Sequence, residues 1–99
     1  MDRSEKVKVM LLEFAREKAR EGLRARFFFF GSRVRGDFQE RSDFDLAVDA
    51  GAPLDPITLG RLRDDLEKLP TLYRIDLVDA AATSSRFRAE AFAVIEEIT

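Results

Sequence analysis

The sequence predicts an α/β domain with helices packed on a small sheet. Three observations lead there. Apolar residues recur at helical spacing in three stretches, short apolar or alternating runs separate them, and Gly or Pro stands at the junctions. No repeat, low-complexity tract or linker interrupts the 99 residues, so one domain over residues 1–99 is expected, in the order α-β-β-α-β-α.

The first helix is expected from Arg3 to Gly22. Val7, Met10, Leu11, Phe14 and Ala15 form its apolar stripe, Asp2 with Glu5 fits a capping box, and Gly22 fits the stop. Phe27 to Phe30 reads as a strand buried on both faces, closed by Gly31. Asp43 to Asp49 alternates: Phe44, Leu46 and Val48 point one way, Asp43, Asp45 and Asp49 the other. After the break at Gly51 and Pro53, Asp55-Pro56 supplies an N-cap and a first-turn proline for a helix carrying Ile57, Leu59, Leu62, Leu66 and Leu69. Pro70 ends it. Leu72 to Val78 is the third strand, with Tyr73, Ile75 and Leu77 opposite Arg74 and Asp76. A last helix opens at Ser84 or Ser85 and is expected to reach the C-terminus, with Phe87, Ala91, Val94, Ile95 and Ile98 along one stripe.

Composition removes much chemistry. With no cysteine there are no disulfides, thiolate metal sites or thiol nucleophiles, and with no histidine there is no imidazole base or ligand. Catalysis is left to carboxylates, hydroxyls, Arg, Lys and backbone, and any metal must prefer oxygen. The longest apolar run, Phe27 to Phe30, is far short of the about 20 residues of a membrane helix, and with no apolar stretch behind Met1-Asp2-Arg3 no secretory signal is expected. A cytoplasmic protein without membrane contact is expected. The net charge of −2 provides no global field for nucleic acid, so no direct nucleic-acid binding is expected. The cations are mostly arginine, 13 against four lysines, and arginine is the better bidentate phosphate ligand.

Two neighbouring segments carry the chemistry. Gly31-Ser32-Arg33-Val34-Arg35-Gly36 follows the first strand directly. A glycine there lets the backbone approach a phosphate, Ser32 adds a hydroxyl, and the N–H groups of a short following helix would point at an anion. Arg33 and Arg35 are both candidates for charge-assisted bonds to the same phosphates. The second segment is Ser42-Asp43-Phe44-Asp45-Leu46. Asp43 and Asp45 leave one face of a strand about 7 Å apart. Alone, this pair reads better as a solvated strand edge than as a site. Asp76 changes that, because if both apolar sets face one core, Asp43, Asp45 and Asp76 share the open face of the sheet. Three such carboxylates beside a phosphate-binding turn suit one or two Mg²⁺ ions and a nucleoside triphosphate. Asp49 shares the face of Asp45 and stands as the rival third acid, at the strand's far end. Tyr73, Phe27 to Phe30, Arg86 and Arg88 read as core or solvated helix surface.

GSRVRG, RSDFDLAV and the aspartate inside RIDLVD together resemble the minimal nucleotidyltransferases of the DNA polymerase beta superfamily, over nearly the whole chain. Val34, where relatives usually carry Ala, and Phe44, usually Ile, depart from the pattern without touching a ligand role. The resemblance implies a nucleotidyltransferase fold with a small mixed sheet. It implies that Gly31 and Ser32, with Arg35, bind ATP or another NTP, that Asp43 and Asp45 bind two Mg²⁺ ions, and that Asp76 completes the catalytic one. The implied reaction is transfer of a nucleoside monophosphate, AMP from ATP, to an acceptor hydroxyl. In this family the partner is commonly a helical HEPN protein, in what looks like a toxin–antitoxin pair where the antitoxin adds AMP to a tyrosine of the toxin. The alternative is a scaffold that neutralises a partner by contact alone. Asp76 as proton acceptor or as metal ligand only stays open at this point.

Overall fold

Asp2 caps the first helix with its own side chain: Oδ1 accepts from the Glu5 N–H at 2.9 Å and from the Ser4 hydroxyl at 2.8 Å. This helix, α1, runs Arg3–Arg20 and buries Val7, Leu11, Phe14 and Ala15. The computed structural model describes residues 2–98, and the chain continues as β1 (Arg26–Phe30), α2 (Ser32–Arg35), β2 (Phe44–Asp49), α3 (Pro56–Glu67), β3 (Ile75–Asp79), a 3-10 turn (Ala80–Ala82), α4 (Ser85–Ala91) and β4 (Glu96–Glu97). As the sequence requires, Asp55 caps α3 through the Thr58 N–H at 2.9 Å, and Pro56 occupies its first turn.

The four strands form one mixed sheet in the order β3-β2-β1-β4. β1 runs antiparallel to β2 and β4, while β2 and β3 are parallel, joined by the α3 crossover. The main core lies between one face of the sheet and α1 with α3. Phe27, Phe29, Phe44, Leu46, Val48 and Leu77 meet Leu11, Phe14, Leu62 and Leu66 there. Lys18 of α1 and Asp65 of α3 tie the two helices together across this layer, Nζ to Oδ2 at 2.5 Å.

Three expectations need correction. The last helix does not reach the C-terminus: it ends at Ala91, and the chain turns back so that Glu96 and Glu97 pair with Phe29 and Phe28. A helix continued to the end would leave the backbone edge of β1 unpaired, which costs more than a frayed helix end. The second correction follows from the first. The face opposite the main core is not open along its length. Phe28, Phe30, Ala47 and Ala80 form a second cluster there, covered by Ala91, Phe92 and Ile95, with Phe92 edge-on to both Phe28 and Phe30 at 5.0 Å. Asp45 and Asp76 therefore stand at the end of this face where β1 ends and β2 and β3 begin, while Asp49, its side chain 31% exposed, meets solvent at the opposite end. The third strand also begins later than expected, at Ile75, and runs through Asp79; Leu72 stands fully exposed on the loop before it. Asp79 is buried and its Oδ2 accepts from the Leu54 N–H at 2.8 Å, which holds the loop entering α3.

Candidate functional site

The turn after β1 is built by two glycines. Gly31 adopts φ +83° and caps α2, and Gly36 ends that single turn at φ +91°. The Val34 and Arg35 N–H groups donate to the Gly31 carbonyl at 3.1 Å, closing the turn. Ser32 opens α2 half-buried. A side chain at Gly31 has no room, since a Cβ there would lie 2.1 Å from Asp45 Oδ2. The turn and the second strand thus touch through this carboxylate.

Asp45 and Asp76 are direct register partners on the parallel strands β2 and β3, and Asp45 faces Phe30 across β1. Asp43 stands one residue before β2, at the same end. Asp45 feels the charge of both other acids. Partial burial raises the Asp45 pKa above its ordinary value, and the charges of Asp76 and then Asp43 raise it further, while Arg35 opposes the shift. Asp76 is engaged by Arg74, Nε to Oδ1 at 3.1 Å, in a pair whose side chains are both well exposed. Such a pair contributes at most about 1 kcal/mol, so a divalent cation displaces it readily. Among the described residues no three acids are already converged on one metal position. Donor type and placement nonetheless fit a hard cation: three carboxylates stand at one sheet end, with Asp45 partly desolvated and facing the charges of Asp76 and Asp43.

Asp49, the rival third acid, lies at the opposite end of β2. There its Oδ1 accepts from the Gly51 N–H at 2.9 Å and its Oδ2 faces Arg26 Nε at 3.6 Å. The structure brings Asp76 to Asp45 and leaves Asp49 apart.

Residues 17–98 match the family described as polymerase beta, nucleotidyltransferase. The chain belongs to this family. Among individual proteins it is 39% identical over 71 residues to a probable protein adenylyltransferase MntA of Haemophilus influenzae, covering 69% of this chain; the chain spans 62% of that relative's length. Two solved structures share the fold. One is a toxin–antitoxin with AMP-PNP (TM-score 0.66, 24% identity, 93% of this chain and 70% of that one). The other is a mutant MntA–HpeT toxin–antitoxin (TM-score 0.71, 20% identity, 93% of this chain and 72% of that one).

Within this nucleotidyltransferase domain the two arginines of the turn separate into different roles. Arg33 points into the protein. Its Nε donates to the Ser42 carbonyl and its Nη2 to the Glu40 carbonyl, both at 2.8 Å, while its guanidinium lies 4.2 Å from the Phe44 ring centre and 4.9 Å from that of Tyr73. It clamps the loop that delivers Asp43. Arg35 is exposed, near Asp37 and Asp45, and remains available to a ligand. By residue type alone both are candidates for phosphate, and only the resemblance names Arg35. The signal that separates them is Phe38, Phe44 and Tyr73, three rings near in sequence or sheet that make a guanidinium slot. Arg74 was also missed, although it sits two residues from Asp76 on the same side of the alternation. Arg86 pairs with Glu90 and Arg88 donates to the Thr83 carbonyl, so neither belongs to the site.

Proposed function

We propose that this domain transfers AMP from ATP to a hydroxyl of a partner protein. The observation that carries the reading is the meeting of Asp45 with both Gly31 and Asp76, which joins a glycine-bounded turn to the carboxylates at one sheet end. In this reading Gly31 offers its backbone, Ser32 its hydroxyl and Arg35 its guanidinium to the triphosphate. Asp43 and Asp45 would hold two Mg²⁺ ions, and Asp76 would add a ligand to one of them. When bound, the metals supply charge neutralisation on the triphosphate and activation of the acceptor. The acceptor oxygen forms a bond to the α-phosphorus, the bond from that phosphorus to the β-phosphate bridge breaks, and pyrophosphate leaves with the electron pair. The hydroxyl proton passes to Asp76 or to water.

Likeness to an MntA adenylyltransferase and to toxin–antitoxin structures supports an antitoxin role. The acceptor we favour is a tyrosine of a helical HEPN-type toxin, with both proteins in the cytoplasm; among the described residues no helix is long and apolar enough to cross a membrane. The test mixes the protein with labelled ATP, Mg²⁺ and the helical protein encoded beside it, and locates AMP by mass spectrometry. AMP on a tyrosine of that protein is the expected result. Binding of MgATP with no labelled acceptor would favour a scaffold that acts by contact.

A further inference from the structure

Over the rim from the carboxylates, between the start of α1 and the loops leading into β2 and β3, lies a groove of about 740 Å³. Its walls carry Arg3, Lys6, Arg41 and Arg74 against Glu40 and Asp43, and its floor is apolar, from Val7 and Met10 to Tyr73. Among the described residues Arg3, Lys6 and Arg41 have no carboxylate partner, and unlike the equally unpaired Arg20, Arg24 and Arg61 they line one groove together. Leu72 stands fully exposed on the lip. Unpaired cations around an apolar floor, with an exposed leucine at the edge, ask for an anionic ligand that also has apolar side chains.

We infer that this groove docks an acidic, leucine- or aromatic-containing segment of a partner protein, and that the docked segment leads an acceptor hydroxyl over the rim to Asp43. The second clause rests on the transfer reaction proposed above; the docking does not. A protein segment fits better than a nucleic acid for two reasons. The one ring in the groove, Tyr73, is already engaged, edge-on to Phe44 at 5.3 Å and with the Arg33 guanidinium over it at 4.9 Å, so a base would have to compete for it. Glu40 and Asp43 also repel a continuous phosphate backbone, whereas spaced carboxylates can avoid them. Asp43 is the shared residue: it lines the groove and stands one residue before β2, beside the other two acids.

The experiment uses the full chain and two fluorescein-labelled synthetic peptides, one alternating glutamate with leucine around a central tyrosine, the other identical with glutamine for glutamate. Anisotropy is read for the native protein, for the triple variant Arg3→Glu/Lys6→Glu/Arg41→Glu and for Leu72→Asp, with MgATP binding measured calorimetrically on each. The inference expects the acidic peptide to bind and to weaken roughly tenfold or more in the triple variant. It also expects weakening in Leu72→Asp and in high salt, with MgATP binding unchanged throughout. Equal binding of the two peptides, an unaffected triple variant, or no binding up to about 1 mM overturns it. So does a single-stranded RNA oligonucleotide that binds through these three cations where the acidic peptide does not. A native protein that binds the peptide but not MgATP upholds the groove and contradicts the transfer reaction.

Discussion

The Asp45 carboxylate occupies the space that a side chain on Gly31 would fill, with Oδ2 2.1 Å from the position of a Cβ. Two segments 14 positions apart in the chain are thereby made interdependent: the turn can pass close to a phosphate only because it lacks a side chain, and Asp45 can stand over the turn for the same reason. The steric term and the left-handed backbone at φ +83° act together. An alanine at position 31 carries about 1–3 kcal/mol of backbone strain before any contact is counted.

Gly31→Ala is therefore expected to destabilise the fold and abolish transfer. The contact itself is isolated by a double-mutant cycle in urea. Asp45→Ala should stabilise the Gly31→Ala protein by more than it stabilises the native one. Equal effects in both backgrounds would show that the two positions do not compete for space.

Asp45 also sets a pH dependence. Its folded pKa lies above the ordinary 3.8, first through desolvation and then through Asp76 and Asp43. A raised carboxylate pKa means the folded state binds the proton more tightly, so the ionised group costs stability at neutral pH and the cost fades as pH falls through the folded pKa. Without Mg²⁺, Asp45→Asn should melt above the native protein at pH 7, with the gap closing as pH falls towards the ordinary value. Mg²⁺ should raise the native melting temperature and leave that of Asp45→Asn nearly unchanged.

The division of labour between the two turn arginines gives an opposed pair of outcomes. Arg33→Ala removes two hydrogen bonds to main-chain carbonyls and a stack on Phe44, and should cost about 2–3 kcal/mol in chemical denaturation. Arg35→Ala should leave stability within about 0.5 kcal/mol and weaken MgATP binding. The reverse pattern would mean the two residues have been assigned the wrong way round.

Much of this was legible from residue spacing. Asp2 and Asp55 as caps, the stripe on α1, and the alternation that puts Asp43, Asp45 and Asp76 opposite Phe44, Leu46 and Leu77 all depend on local periodicity, and local periodicity is what a sequence shows. The C-terminal segment was misread for the complementary reason. Val94, Ile95 and Ile98 fit a helical stripe, but the backbone edge of β1 and the rings of Phe28 and Phe30 needed cover, and that demand comes from elements some 65 positions earlier in the chain. The separate fates of Arg33 and Arg35 were hidden likewise, because the slot that captures Arg33 is assembled from Phe38, Phe44 and Tyr73 only once the sheet exists.

The Lys18–Asp65 bridge predicts an acid-side transition distinct from that of Asp45. Bonding to Lys18 holds the Asp65 carboxyl below its ordinary 3.8, so its contribution is present above that value and lost as pH falls through the lower folded pKa. Lys18 is raised by the same bond, so the alkaline loss comes only above 10.5. The stability difference between the native protein and Asp65→Asn should be flat across neutral pH and shrink at both extremes. A difference that vanishes at neutral pH would show that the bridge does not hold α1 to α3.

The central claim, that the carboxylate set is Asp43, Asp45 and Asp76, is tested most directly by comparing Asp76→Asn with Asp49→Asn for MgATP binding and for AMP transfer to the partner. Asp76 is the register neighbour of Asp45, while Asp49 is engaged with Gly51 and Arg26 at the far end of the strand. The account expects Asp76→Asn to bind MgATP within a few fold of native and to lose transfer by several orders of magnitude, with Asp49→Asn close to native in both. Transfer retained in Asp76→Asn and lost in Asp49→Asn would contradict it.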